Sequence, residues 1–336
     1  MTLRTYVASR AILTIPMVML LLTLVFVIIR IVPGDPALLH FEKGVDPEVL
    51  EEFRHTLGLD VPLLTQYFNY LGGLLVGNFG LSMQDYSPIR DHIIVRFPAT
   101  LELTLYSMLF AVLLGVALGV RSSKHYDSAQ DHGIRFFGIV TYAIPVFFLG
   151  MILQLIFSIW LGWLPTGTRF DPRVDAPPVI TGLYTIDSLV TGNVTAFVVA
   201  IRYLILPSIT LGTILCGIFI RLTRTNMLET LRMDFVVAAE ARGLSESKIT
   251  YTYALKNAFL PILTMIGLQF ALLLAGAVLT ETTFSWPGLG TYLVQRINHR
   301  DYTAIQGVVV FFGLLVSLVT LVVDILYAYL DPRIRL

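Results

Sequence analysis

The sequence contains few charged residues. Asp, Glu, Lys and Arg together make up 14% of its 336 residues, whereas 56% are hydrophobic. Soluble domains carry roughly 25% charged residues, because a folded domain needs a charged surface. Several stretches of eighteen or more residues hold no charge at all, which is the length that crosses a bilayer. The composition therefore excludes an ordinary soluble protein and predicts an all-α membrane protein.

Other features are also scarce, and each absence excludes a class of function. The 23 basic and 23 acidic residues balance, so no field of one sign attracts nucleic acid. Cys216 is the single cysteine and cannot form an internal disulfide, and the six histidines show no metal-ligand spacing. No G-x-x-x-x-G-K-[ST] motif is present. We therefore expect no catalytic, metal or cofactor site in this chain.

Six intervals without charge are long enough to span a membrane, since about 20 apolar residues at ~1.5 Å per residue cover about 30 Å. They lie between residues 10 and 30, 102 and 121, 135 and 161, 202 and 221, 256 and 281, and 301 and 324. A further charge-free segment, 61–84, is rich in Gly, Asn and Gln, and its apolar residues recur at helical spacing. It is predicted to be an amphipathic helix in the interface or packed on the bundle, not a span.

The distribution of basic residues predicts the orientation. Thirteen of the 23 Lys and Arg fall in the two end segments and in the loops at 121–135 and 221–256. Basic residues resist translocation, so these segments and both termini are predicted to face the cytoplasm. The acidic first outer loop has helix signals of its own: Asp46 as N-cap, Pro47 at the first helical position, acidic Glu48 and Glu51, and Gly58 as the stop.

The predicted organisation has four parts. They are an N-terminal segment with the first span (1–31), an extracytoplasmic cap (32–97), a core of five spans (98–330) and a cytoplasmic tail (331–336). A segment ending in Phe97 is expected to form an interfacial helix before the second span begins at Pro98.

One cytoplasmic loop of the core, 223–257, is unusually long and polar. Asp234 is predicted to cap a first short helix, Gly243 to end it in a left-handed conformation, and Ser245 to cap a second helix. The small residues Ala238, Ala239 and Ala241 would let a partner approach the backbone closely. A solvated loop with ordinary capping is the alternative.

Three segments carry a resemblance to a known family. VVAAEARGLSESKITYTYALKNAFLPILTMIGLQ, TETTFSWPGLG and DYTAIQGVVVFFGLLVSLVTLVVDILYAYLDPRIR resemble the dipeptide and oligopeptide permeases of ATP-binding-cassette (ABC) importers. RIVPGDPA, GNFGLSM and FPATLELTL extend the match over almost the whole chain, except near 165–200. The resemblance implies six spans in a type I importer permease fold.

The resemblance also implies partners and a coupling site. It implies a second permease, two cytoplasmic ATPase subunits that bind ATP and Mg²⁺, and an extracytoplasmic solute-binding protein that delivers short peptides. The loop resembles the family's EAA motif, whose coupling helix sits in a groove of the ATPase. By position this site comprises Val237, Ala238, Ala239, Glu240, Ala241, Arg242, Gly243 and Leu244. Val237 stands where the motif's glutamate would be, so Glu240 is not that glutamate.

Three polar residues are candidates for a pore or gate. Glu102 and Glu281 lie near the predicted external ends of spans, and Gln269 lies in the middle of one. Interfacial capping is the alternative for the carboxylates and close packing for Gln269. Relatives with this signature also carry oligosaccharide, glutathione or nickel, so the substrate stays open. A secondary transporter driven by an ion gradient and a structural scaffold are the rival classes of function.

Overall fold

The computed structural model describes residues 3–31, 46–56, 58 and 60–330, and this part of the chain is a bundle of helices joined by turns, which confirms the all-α fold. The helices are α1 Leu3–Ile31, α2 Pro47–Thr56, α3 Leu63–Leu75, α4 Ile89–Lys124, α5 Ala129–Ala143, α6 Val146–Leu153, α7 Tyr184–Val190, α8 Val194–Thr230, α9 Asp234–Ala241, α10 Glu246–Lys248, α11 Leu255–Gly276, α12 Val278–Thr283, α13 Leu289–Asn298 and α14 Tyr302–Leu330. A π-helix, Gln154–Trp160, continues α6, and a second, Ile249–Ala254, joins α10 to α11.

Five long apolar helices in the described residues match predicted spans, and a bent pair supplies the sixth. The third predicted span, 135–161, is not one continuous helix, because α5 and α6 meet at an angle of 104°. The break falls at Ile144 and Pro145. Proline disfavours the helical conformation in the residue before it, and Ile144 accordingly takes an extended ψ of 129°. The count of six spans is confirmed when this pair is counted as one.

The predicted boundary at 97/98 is wrong, because α4 runs without interruption from Ile89 to Lys124 with Pro98 inside it. Residues 89–124 form one helix, so the expected separate interfacial helix does not form in that range. Proline is tolerated inside membrane helices when neighbouring groups satisfy the freed backbone carbonyl, and α1, α8 and α11 each also contain one. Pro98 therefore does not mark the start of a helix.

Helices α4 and α8 form the centre of the bundle and cross at two glycines of α4. A Cβ atom at Gly115 would lie 2.5 Å from Cβ of Phe219, and one at Gly119 would lie 2.5 Å from Cβ of Thr223. Small residues spaced four apart let membrane helices approach closely, so that dispersion contacts and neighbouring polar groups hold them together. The crossing therefore depends on the absence of side chains at these positions.

A Gly119→Ala variant is expected to lose about 1–3 kcal/mol of stability, because the added methyl group also meets the Ile220 carbonyl oxygen at 2.9 Å and overpacks the crossing. The matched control is Gly133→Ala on α5, where nothing lies within 4 Å of an added Cβ. The stability of both variants is measured as the midpoint temperature of thermal unfolding in detergent. Equal midpoints for the two variants would contradict the role of Gly119.

The outer layer of the bundle is formed by α1 and α14. Leu22, Val25 and Ile29 of α1 pack with Val310 of α14 in one buried cluster. At one end of the pair, Arg10 Nη1 lies 3.4 Å from Asp324 Oδ2. Helix α3 packs across this pair and lies against the bundle. This agrees with the prediction that the segment 61–84 is not a span.

The described part of the external cap confirms its local signals. Helix α2 begins at Pro47, and the Asp46 carboxylate accepts a hydrogen bond from the Glu48 N–H at 3.3 Å. Gly58 follows the helix with a φ of +63°. Residues 32–45 of the predicted cap and the tail 331–336 lie outside the described residues.

Candidate functional site

The loop between α8 and α11 folds as a helical protrusion, which we call the α9 protrusion and define as residues 231–248. Helix α9 spans Asp234–Ala241, and its N-cap is Met233, so the prediction that Asp234 caps it is wrong by one residue. Asp234 lies in the first turn instead, where a negative charge favours the helix dipole. A short turn follows, and Ser245 precedes the second helix, which begins at Glu246 as predicted.

Gly243 ends α9 in the left-handed conformation, as predicted, with a φ of +73°. Its N–H donates to the Glu240 carbonyl at 2.8 Å, and the next N–H, of Leu244, donates to the Ala239 carbonyl at 3.3 Å. This pair of bonds is the Schellman motif, in which a residue with positive φ satisfies the last carbonyls of a helix. The motif fixes the angle at which the chain leaves α9.

The two sides of α9 have different environments. Val236 and Ala239 are buried and pack with Ile249, and Leu244 packs against the same cluster. Val237, Ala238, Glu240, Ala241, Arg242 and Gly243 are exposed. The prediction that Ala239 lies open to a partner is therefore wrong, because its methyl group points into the chain and is 5% exposed. Ala239 and Leu244 therefore pack on the buried side of α9.

The base of the protrusion is attached to three membrane helices. Lys124 at the end of α4 contacts Glu246, with 2.9 Å between Nζ and Oε1. Below this pair, Val120 of α4, Met227 of α8 and Ala258 of α11 form one buried cluster. The base of the protrusion is therefore in contact with α4, α8 and α11.

A buried ionic network lies beside this base, and it was not predicted. The Asp131 carboxylate at the start of α5 is fully buried and accepts two hydrogen bonds from the Arg224 guanidinium, both of 2.7 Å. It also accepts bonds from the Ser122 hydroxyl and from the Asp127 N–H. The network joins the ends of α4, α5 and α8. In the sequence only the capping residue Ser128, three positions before Asp131, hinted at an ordered turn here.

At the opposite end of the bundle, Glu102 of α4 is the centre of a second buried network. It is 2% exposed and accepts hydrogen bonds from Arg169 Nη2 at 2.6 Å and from the Thr185 hydroxyl at 2.7 Å. Arg169 also donates to the Gly182 carbonyl at 2.6 Å and stacks over the Tyr184 ring. Glu102 therefore ties the loop before α7 to α4.

Glu281 has a comparable role. It is fully buried in α12, and its carboxylate accepts hydrogen bonds from the Thr100 hydroxyl at 2.6 Å and from the Thr291 N–H at 2.9 Å. Neither Glu102 nor Glu281 reaches the surface of this chain, so the prediction that they line a pore disagrees with their burial. Gln269 is half-buried on α11, where it contacts the Met265 sulfur at 3.7 Å, and its pore-lining role stays a prediction.

The ion pairs divide the ends of the helices into two groups, as the predicted topology requires. One end holds Arg10–Asp324, Lys124–Glu246 and Arg224–Asp131. The other end holds Arg169–Glu102, Arg296–Asp85 and Arg296–Asp301. The α9 protrusion lies at the first end, together with the beginning of α1 and the end of α14.

Comparison with known proteins identifies the family. Residues 111–336 match the binding-protein-dependent transport system inner membrane component family, and residues 3–104 match the N-terminal family of such membrane components. The chain is 44% identical over 331 residues to the di/tripeptide transport system permease protein DppB of Pseudomonas aeruginosa, covering 98% of both chains. It is 38% identical to the dipeptide permease DppB of Escherichia coli K12 and 38% identical to the glutathione permease GsiC of Salmonella choleraesuis, again over 98% of each chain. This chain is therefore a multi-pass permease subunit that belongs to the binding-protein-dependent transport system inner membrane component family.

Proposed function

We propose that this chain is the channel-forming subunit of an ATP-driven importer of short peptides. The observation that carries the proposal is its similarity, over nearly the full length of both chains, to permeases named for dipeptide and di/tripeptide transport. The solute-binding protein presents the peptide at the external end, and two ATPase subunits bind at the other. The chain itself binds no cofactor, and ATP and Mg²⁺ are held by the ATPases.

The exposed side of the α9 protrusion is the proposed ATPase contact. Val237, Ala238 and Ala241 offer a small apolar surface on which another protein can sit close to the helix backbone. Glu240 and Arg242 flank it with opposite charges that fix the register of docking. Closure of the ATPases on ATP moves the docked helix, and its attachment to α4, α8 and α11 converts that movement into rocking of the spans. ATP thus shifts the equilibrium between inward-open and outward-open states.

The proposed orientation places the α9 protrusion and both termini in the cytoplasm. In the predicted topology, this end carries thirteen of the 23 Lys and Arg but only eight of the 23 Asp and Glu. The excess of basic residues supports a cytoplasmic location, because Lys and Arg are the residues that resist export.

The pore is proposed to form between this chain and a second, similar permease subunit. The bent α5–α6 pair exposes Phe147, Phe148 and Met151 just after the break at Pro145. Exposed aromatic and sulfur-containing side chains in one patch do not suit a solvated surface, and the proposal assigns this patch to contact with the partner permease. Gln269 on α11 is the proposed polar group of the pathway.

Uptake of a radiolabelled dipeptide into proteoliposomes tests the function. Vesicles that contain both permeases and both ATPases, with the binding protein outside and ATP inside, are expected to accumulate dipeptide, and vesicles without ATP or without the ATPases are not. Accumulation that persists without the ATPases and follows a proton gradient would establish a secondary transporter instead. Absence of transport alongside stable assembly would indicate a scaffold.

Glutathione is the second candidate substrate, because the chain is 38% identical to a glutathione permease. Competition assays with unlabelled dipeptide, glutathione, oligosaccharide and nickel in the same vesicles distinguish the substrates. Dipeptide is expected to compete most strongly.

A further inference from the structure

Residues 61–84 contain no Asp, Glu, Lys or Arg, although they lie in the external region of the chain. The helix in this segment, α3, changes from polar to apolar along its length. Thr65, Gln66 and Asn69 are polar and lie in its first seven residues, whereas the sequence from Tyr70 to Val76 is YLGGLLV. At the far end, Leu75 is 89% exposed and Val76 is 77% exposed. Large aliphatic groups with this exposure are unusual in a segment surrounded by water.

Positions along helix α1 give the depth of neighbouring residues in the membrane. Arg10 and Arg30 are twenty residues apart, so they are separated by about 30 Å, which is the thickness of the hydrocarbon layer. On α14, Asp324 pairs with Arg10, and the position twenty residues before it is Ala304. Arg30 and Ala304 therefore mark the same external boundary on two adjacent helices.

The first half of α3 packs against α1 below this boundary. The Arg30 Nε donates to the Gln66 side-chain carbonyl at 3.0 Å, and the same guanidinium lies 5.0 Å from the centre of the Phe26 ring, so Gln66 lies about one helical turn below the Arg30 backbone. The next residue, Tyr67, shares a hydrogen bond of 2.7 Å with the Thr23 hydroxyl. Thr23 is seven residues from Arg30, which is about 10 Å deeper along the helix. The Tyr67 hydroxyl therefore lies within the hydrocarbon layer.

The chain after α3 is also deep, and it returns to the surface along α14. The Phe79 carbonyl oxygen lies 3.0 Å from the position of a Cβ at Gly307, which is three residues, or about 4.5 Å, below Ala304, and the Phe79 ring lies 6.2 Å from the deeper Phe311 ring. Four residues later the Met83 N–H donates to the Asp301 carboxylate at 3.1 Å, which is above the boundary. An extended chain covers about 3.3 Å per residue, so four residues suffice for the ascent. The segment therefore turns back between Leu75 and Phe79 and leaves the hydrocarbon layer before Met83.

The turn at this depth satisfies its own backbone, as a hydrocarbon environment requires. The N–H groups of Val76 and Asn78 both donate to the Gly73 carbonyl, at 3.1 and 2.9 Å, and that of Gly77 donates to the Leu74 carbonyl at 3.1 Å. Gly77 has a φ of +75°, which lets the chain reverse. The Asn78 side chain accepts from the Gly80 N–H at 2.9 Å, so its polar carbonyl is also bonded locally.

We propose that residues 63–79 form a re-entrant element embedded in the external leaflet, in which Phe68, Leu75 and Val76 contact lipid acyl chains. The depth set by α1 and α14, the absence of charge and the bonded turn together favour lipid as the occupant. Contacts between membrane helices favour small side chains, whereas the exposed groups at the tip are large and aliphatic. The element packs α1 onto α14 within the bilayer and does not form part of the aqueous cap.

Site-directed spin labelling measures this depth directly. A nitroxide is attached to a single added cysteine in the full chain, assembled with its partner subunits in phosphatidylethanolamine and phosphatidylglycerol vesicles. The native Cys216 is fully buried, and the unsubstituted protein controls for its labelling. Collision rates with oxygen and with a water-soluble nickel chelate are compared for Leu75→Cys and three reference positions. The references are Leu24→Cys on α1, Leu64→Cys at the start of α3 and Val49→Cys on α2.

The oxygen-to-chelate ratio at Leu75 is expected to match that at Leu24, to exceed that at Leu64 and to be at least tenfold above that at Val49. A ratio at Leu75 equal to that at Val49 would overturn the proposal, because the tip would then lie in water. An immobilised label at Leu75 that neither probe reaches would also overturn it, since a protein partner would then cover the tip.

Discussion

A Gly243→Pro variant is expected to lose at least nine-tenths of its ATP-driven uptake while it still inserts and assembles. Proline fixes φ near −65°, whereas Gly243 has a φ of +73°, and proline also removes the N–H that bonds to Glu240. Proline further disfavours the helical conformation of Arg242, whose ψ is 2°. The Schellman turn therefore cannot form, and α9 loses its fixed angle to the spans. The measurement is dipeptide uptake against ATP hydrolysis in the same vesicles.

The chain offers a closely matched control in Gly192, which lies at the opposite end of the bundle. Gly192 has a φ of +68°, its N–H donates to the Leu189 carbonyl at 3.2 Å, and the preceding Thr191 has a ψ of −3°. Gly192→Pro therefore imposes the same backbone change far from the proposed ATPase contact. It is expected to keep most of its uptake. Similar losses in both variants would show that the effect is general destabilisation and would count against docking at α9.

The spans were predictable because their signal is local, and the errors arose where it was weak. A count of charge-free residues finds a span by itself, since the bilayer fixes its length. Pro98 and Pro145 carry the same local signal, yet α4 continues through Pro98 while α5 and α6 bend by 104° at Pro145. Which proline bends a helix depends on the groups packed around it, and a single sequence does not contain that information.

The α9 protrusion and the buried networks also separate features that are encoded locally in the sequence from features that depend on packing. Gly243 was predicted correctly because a helix stop is encoded within a few residues. Asp131 and Arg224 are 93 positions apart, and Glu102 and Arg169 are 67 apart, so their pairing depends on how the helices pack. The burial of Ala239 is also a consequence of packing, because Ala238 and Ala239 are identical in type and differ only in the side of α9 that they occupy.

Removing one partner of the Asp131–Arg224 pair is expected to have the largest effect on stability. Asp131→Leu leaves the Arg224 guanidinium without its bidentate acceptor, and Arg224→Met leaves a fully buried carboxylate uncompensated. Breaking a buried pair in this way costs about 3–5 kcal/mol, whereas replacing both partners by apolar groups is often neutral. Each single variant should therefore unfold at a clearly lower temperature in detergent, and the double variant should recover most of that loss. This non-additivity is the signature of a direct interaction.

The Lys124–Glu246 pair serves as the exposed control for this cycle. The Glu246 side chain is 80% exposed, so solvent screens the interaction, and Glu246→Gln should leave the unfolding temperature unchanged. A double variant at Asp131 and Arg224 that is as unstable as the sum of its single variants would show that the two residues act independently. The network would then not be what holds α5 and α8 together beside the α9 protrusion. Recovery in the double variant would establish that the charge pair itself is dispensable for folding, and any remaining loss of dipeptide uptake would assign the pair a role in the movement of these helices.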